Sequence, residues 1–192
     1  MGRARSFNAD EALDRAMTVF WSKGYEGASL SDLTEAMGIN RPSLYAAFGN
    51  KESLFLKAME RYAERNACLA ELMNEPTAQQ VIEKLLYGTA DMLTDPDTPH
   101  GCLTVSAALA CSEETAPIKN ALAAKRKQMQ LMLQQRLERA QQERDLPKDA
   151  DPAALALYIC TVTYGMSIQA SSGATRAQLQ NVAAIALKAV PS

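Results

Sequence analysis

SLSDLTEAMGINRPSLYAAFGNKESL, residues 29–54, decides the fold. Ser29 stands where a helix needs an N-cap, and Asp32 three places on can complete a capping box. Leu30, Leu33, Ala36 and Met37 recur at helical spacing and give one apolar stripe. Gly38 follows the stripe and suits the left-handed position that closes a helix. Ile39 is a single apolar residue inside the turn, and Asn40 can cap a second helix. Pro42 falls in its first turn, where a missing N–H costs little. Leu44, Tyr45 and Phe48 supply packing, Gly49 ends the helix, and Asn50 caps the next. The stretch therefore predicts a helix over 30–37, a tight turn, a second helix over 41–48 and the start of a third. That is the layout of a helix-turn-helix DNA reader. A helix as short as the second is unstable alone and has to be held by its neighbours.

Charge gives this reading little help. Seven basic and seven acidic side chains balance within residues 1–57, and the whole chain carries a net charge of −2. A nucleic-acid binder usually shows a basic bias. Placement answers part of the objection. Arg3 and Arg5 lie on an N-terminal tail, Arg41 begins the short helix, and Lys51 begins the next, where free N–H groups suit a phosphate. Taken one at a time, each of these charges also fits a solvated surface residue.

Residues 8–60 resemble the DNA-binding domain of the TetR/AcrR transcriptional regulators. Phe20, Gly24 and Tyr25 in FWSKGYEGAS carry the resemblance, followed by Leu33, Ala36 and Gly38. Pro42, Ser43, Leu44, Tyr45, Phe48, Lys51, Glu52 and Leu54 complete it. The aromatic pair Tyr45 and Phe48 with Lys51 after it is more specific than a generic helix-turn-helix. The resemblance implies that Arg41, Ser43 and Tyr45 lie on the recognition helix, that Lys51 touches phosphate, and that Arg3 and Arg5 reach a neighbouring groove or phosphate. Ser29, Asn40 and Pro42 join these as candidate DNA-binding residues. Arg41-Pro42 stands where many relatives of that family carry a small polar residue and Gly or another residue, at the point that should face the bases.

Length and composition fit a globular chain. Its 192 residues can bury a real core, and 47% hydrophobic with 22% charged residues is ordinary for such a protein. The N-terminal MGRARSFNADEA has no apolar centre of the kind a signal peptide needs, and no membrane span is expected. Cys68, Cys102, Cys111 and Cys160 are scattered, with no CxxC pair and a single histidine, His100. That pattern suits a reducing cytoplasm and predicts neither a metal site nor a cofactor.

The rest of the chain predicts helices throughout. Asn8 caps a first helix with Leu13, Ala16, Met17 and Phe20 inward, ended at Gly24. A fourth runs from Asn50 to about residue 73 along Leu54, Ala58, Tyr62, Cys68 and Leu72. Further helices are expected over 77–94, 102–111, 116–144, 152–170 and 176–190. The predicted fold is all-α: a three-helix helix-turn-helix domain over 1–50 and a C-terminal helical bundle over 51–192, about nine helices in all.

AALALYICTVTYGMSIQA, residues 153–170, is apolar nearly all round, and a helix apolar on every side must be buried on every side. Either it is simply the central core helix, or it and the last helix pack on their copies in a two-fold four-helix seam. The resemblance implies the second, with Leu155, Ile159, Met166, Leu179, Val182, Ile185 and Ala186 as interface candidates. Such a homodimer would set two recognition helices about one turn of DNA apart, or a multiple of it, on a double-stranded operator. The resemblance also implies a small-molecule effector cavity. Met92, Cys102, Ala107, Met129, Met132, Tyr158, Thr161, Val162 and Tyr164 are its candidates, although Met and aromatics at helical spacing are also ordinary core. Cys102 beside His100 at a helix start is open to two readings, a thiol sensor or a small buried residue.

One histidine leaves no Ser/His/Asp constellation, and no phosphate-cradling glycine loop is present, so the chain does not read as an enzyme. The function expected is a ligand-responsive DNA-binding regulator, a repressor released from its operator by an effector. An all-helical interaction module without DNA binding is the alternative from periodicity alone. Arg3, Arg5, Arg41, Tyr45 and Lys51 separate the two, because an interaction module has no need of them.

Overall fold

The computed structural model describes residues 7–65, 71–109 and 115–191. Arg3, Arg5, Cys68, Cys111 and the expected continuation of the fourth helix over 66–70 lie outside the described residues. Within them the chain is all-α, with no strand.

Capping starts and stops the N-terminal helices. In α1 (Ala9–Gly27) the Asn8 side chain accepts from the Asp10 and Glu11 N–H groups, and the helix breaks at Gly24 before one more turn. α2 (Leu30–Met37) carries the full capping box: Ser29 Oγ accepts from the Asp32 N–H while the Asp32 carboxylate accepts from the Ser29 N–H. Gly38 ends it at φ +68, a conformation that favours glycine. α3 (Arg41–Phe48) is capped by Asn40 Oδ1, which accepts from the Ser43 N–H. α4 (Lys51–Arg65) follows after two residues, and Asn50 Oδ1 accepts from the Ser53 N–H. Then come α5 (Ala78–Leu93), α6 (Leu103–Leu109), α7 (Ala116–Gln142), α8 (Pro152–Ser171) and α9 (Arg176–Leu187). Each lies within about three residues of its expected bounds, the accuracy that fraying ends allow.

Apolar packing divides the chain elsewhere than at residue 50. One core joins Ala16, Phe20 and Trp21 of α1 to Leu33, Leu44, Phe55 and Tyr62, and also takes in Leu103, Ala107, Ile118 and Leu122 from α6 and the start of α7. Phe20 and Phe55 meet edge-on at 5.0 Å in its middle. The second core gathers α5, the C-terminal half of α7, α8 and α9 around Leu86, Leu137, Ile159 and Ala183. Cys102 packs against both. Polar pins hold each body together. Arg61 of α4 grips Asp14 of α1 through Nε and Nη2 at 2.9 and 3.2 Å. Arg136 of α7 donates to the Glu75 and Pro76 carbonyls, and Arg176 of α9 meets Asp91 of α5 at 2.6 Å.

α8 departs from the expectation of no membrane-length run. Its 20 residues, with a mean hydropathy of 1.3, would suffice by length and composition. Its place is inside the bundle against α5, α7 and α9, with part of its surface left bare.

Candidate nucleic-acid interface

α3 presents Leu44 and Phe48 to the core and turns Arg41, Pro42, Tyr45, Ala46 and Ala47 outward. Tyr45 is 49% exposed, unusual for a large ring. Arg41 Nη2 donates to Ser31 Oγ of α2 at 3.0 Å, so the guanidinium is steered across the turn rather than left loose. Ser43 is half-buried, and its N–H is taken by the Asn40 cap. Asn40 therefore serves helix geometry, as does Ser29, whose hydroxyl and N–H are both engaged with Asp32. Lys51 lies at the N-terminus of α4, its Nζ 4.6 Å from the centre of the Tyr25 ring. Burial lowers its pKa, and the Glu26 carboxylate opposes that shift.

Electrostatics fix the reader in place. Asp32 receives Lys23 Nζ on Oδ1 at 2.7 Å and Ser29 on Oδ2. The Lys23 bond and then the two Ser29 bonds hold the Asp32 pKa down to about 2. Asp14 is also lowered, first by its bond to Arg61. The exposed edge of α3, with Arg41 at one end and Lys51 beyond the other, is bounded by helices pinned to one another. Such a face can enter a major groove as a rigid body.

Ala46 and Ala47 escaped the sequence reading. They sit off the buried stripe of α3 beside Tyr45, and that is the signal that could have found them. Small apolar side chains are of the kind that contact thymine methyl groups in a major groove.

The effector candidates are not gathered in one place. Met92, Met129, Met132, Val162 and Tyr164 are half-buried against the second core, and Ala107 is buried in the first. Tyr158 and Thr161 are exposed on the outer side of α8. A chain of polar contacts threads the interior near Cys102. Tyr62 donates to Cys102 Sγ at 3.5 Å, Cys102 Sγ meets Thr104 Oγ1 at 3.1 Å, and Arg126 Nη1 donates to the Thr104 carbonyl at 3.2 Å. Tyr164 in turn donates to the Arg126 carbonyl at 3.4 Å. Burial raises the pKa of Tyr62, Tyr164 and Cys160. An open crevice of about 280 Å³ lies between α4 and α7, lined by Leu56, Met59, Glu60, Ala121, Ala124, Lys125 and Gln128, none of them a sequence candidate. Among the described residues no cluster of His, Cys, Asp and Glu could hold a metal ion.

The interface candidates separate as well. Leu155, Ile159, Met166, Leu179 and Ala186 are buried within the chain's own core. Val182 is 41% and Ile185 67% exposed. Leu157, Tyr158 and Ile168 of α8 are left bare as well. All-round apolarity concealed which side of α8 is which, because both sides read alike in sequence.

Sequence and structure comparisons give one consistent answer. Residues 12–58 match the family described as bacterial regulatory proteins, tetR family, and residues 78–185 match the tetracyclin repressor-like C-terminal domain. The HTH-type transcriptional repressor ComR of Escherichia coli strain K12 is 35% identical, covering 99% of this chain and 92% of its own. The uncharacterized HTH-type transcriptional regulator YezE of Bacillus subtilis strain 168 is 33% identical over 83% of this chain and 84% of its own. Among solved structures, a cysteine-substituted form of the TetR family regulator CifR, bound to 26-bp double-strand operator DNA, is 41% identical. It superposes with a TM-score of 0.95 over 99% of this chain and 100% of its own.

Proposed function

Since the chain belongs to the tetR family of bacterial regulatory proteins and is a DNA-binding transcriptional regulator rather than an enzyme, we propose that it acts in the cytoplasm as a homodimeric repressor, seated on a double-stranded operator and released by a small molecule. The observation that carries the operator reading is the outward row Arg41, Pro42, Tyr45 and Ala46 on a helix too short to stand alone, with Lys51 held at the next helix N-terminus. Arg41 and Tyr45 meet base edges, and Lys51 meets a phosphate. The Arg3/Arg5 tail reaches an adjacent groove.

The bare face of α8 and α9 supports the dimer. Covering a side chain such as Leu157, Ile168, Val182 or Ile185 is worth about 1.5–3 kcal/mol when complete, and a second copy offers the same face by two-fold symmetry. Effector binding belongs to the interior around Cys102, Tyr164, Met129 and Met132, where polar atoms stand among adaptable apolar ones. The effector favours a state in which the recognition helices are wrongly spaced.

A gel shift with DNA from upstream of the protein's own gene tests the operator reading. Lys51→Ala is expected to weaken binding to all sequences alike. Arg41→Ala is expected to cost about 1–3 kcal/mol and to relax preference at one position per half-site. Unchanged affinity in both variants would refute the assignment.

A further inference from the structure

We infer that Gly101, with Trp21, Ser167 and Ser171 around it, is the joint that sets the angle between the DNA-reading body and α8, and so the separation of the two recognition helices. The inference rests on the dimeric operator reading and assigns a positioning role to residues that touch no DNA.

Four helices meet on two backbone units. The Gly101 N–H donates to the Leu93 carbonyl at the end of α5 at 3.1 Å. The Gly101 carbonyl accepts from Trp21 Nε1 of α1 at 2.9 Å, a buried bond. The next N–H, that of Cys102, donates to Ser167 Oγ of α8 at 2.8 Å just before α6 begins. Gly101 has φ +91, and a Cβ there would lie 2.1 Å from Ser171 Oγ and 3.2 Å from the Ser167 carbonyl oxygen. Only glycine satisfies both the dihedral and the close approach to α8.

Each side of the joint is stiff. Trp21 packs edge-on against Tyr62 at 4.9 Å, and Tyr62 donates to Cys102 Sγ. The two aromatic rings of the reading body thus both end on residues 101–102. The Arg61–Asp14 pair makes α1 and α4 move together. Ser167 is buried in α8. Any tilt of α1 about residue 101 therefore displaces α3 relative to the two-fold axis, and symmetry doubles the change in separation. An open crevice of about 420 Å³ adjoins the joint, lined by Ser22, Pro99, His100, Ser106 and Gly173 beside Trp21 and Ser171. Among the described residues no side chain fills this space, so the tilt has room on that side.

Spacing, rather than affinity, is the readout that separates positioning from mere support. The probe is a set of duplexes carrying the upstream operator with its centre lengthened or shortened by one or two base pairs. Three folded dimers are compared with the wild type, checked by thermal unfolding and sedimentation: Trp21→Phe, Gly101→Ala and Gly101→Ala/Ser171→Ala. Trp21→Phe keeps an aromatic ring but removes the donor together with part of the indole's bulk. We expect Trp21→Phe and Gly101→Ala to change the ratio of affinities between the native and an altered spacing by about fivefold or more. Removing Ser171 Oγ should recover part of the native profile. Wild-type proportions across all spacings, at unchanged or uniformly lower affinity, would overturn the joint. Failure of the wild type to bind any duplex would overturn the operator reading, and the joint with it.

Discussion

Asp32 accepts hydrogen bonds from three donors on one half-buried carboxylate, and its folded pKa of about 2 sits below the ordinary 3.8. A depressed carboxylate contributes stability that is fully present above the unfolded pKa and is lost as pH falls through the folded one. The stability gap between wild type and Asp32→Asn, read by thermal unfolding, should therefore be constant above about pH 5 and close progressively between about pH 5 and pH 1. A gap that persists at about pH 1 would mean that the cap works without its charge. This site was legible in the sequence because every bond of a capping box spans three residues. Gly101 was not, because its partner Trp21 lies 80 residues away. The role of Arg41 was half legible: its exposure follows from the helical period, whereas its tether to Ser31 depends on how α2 and α3 cross.

At the scale of elements, α8 and α9 carry the least resolved part of the sequence pattern. Period alone says that α8 is apolar on all sides, and only packing shows that Ile159 and Met166 serve the chain itself while Leu157 and Ile168 are left over. Ile185, at 67% exposure, is the natural place to test the leftover face. Ile185→Glu should leave helix content and the unfolding temperature nearly unchanged in dilute solution. A carboxylate buried without a partner costs several kcal/mol, so dimer affinity should fall about a hundredfold or more by sedimentation, and operator binding with it. A variant that stays dimeric would place the contact elsewhere. α1 to α3 were the most legible elements, since caps, Gly38 and Pro42 punctuate them locally. The assignment of α6 and the start of α7 to the first core was not, because Leu103 and Ile118 look like any other apolar stripe until their neighbours are known.

For the whole molecule, a net charge of −2 means that DNA attraction comes from placement and not from the sum. Each phosphate neutralised releases counterions, with a slope of about −0.9 per contact in log affinity against log salt. In the proposed dimer Lys51 would make two such contacts, so Lys51→Ala should flatten that slope by about 2 when the gel shift is repeated across salt concentrations. An unchanged slope would remove Lys51 from the phosphate backbone. The long-range consequence lies with the chain's single tryptophan. Trp21 donates its indole hydrogen across the seam between the two bodies and stands edge-on to Tyr62. The molecule therefore carries its own optical gauge. Indole emission answers to hydrogen bonding and polarity, so the colour of this one fluorophore follows the setting of the hinge, with no dye attached and no operator or effector labelled.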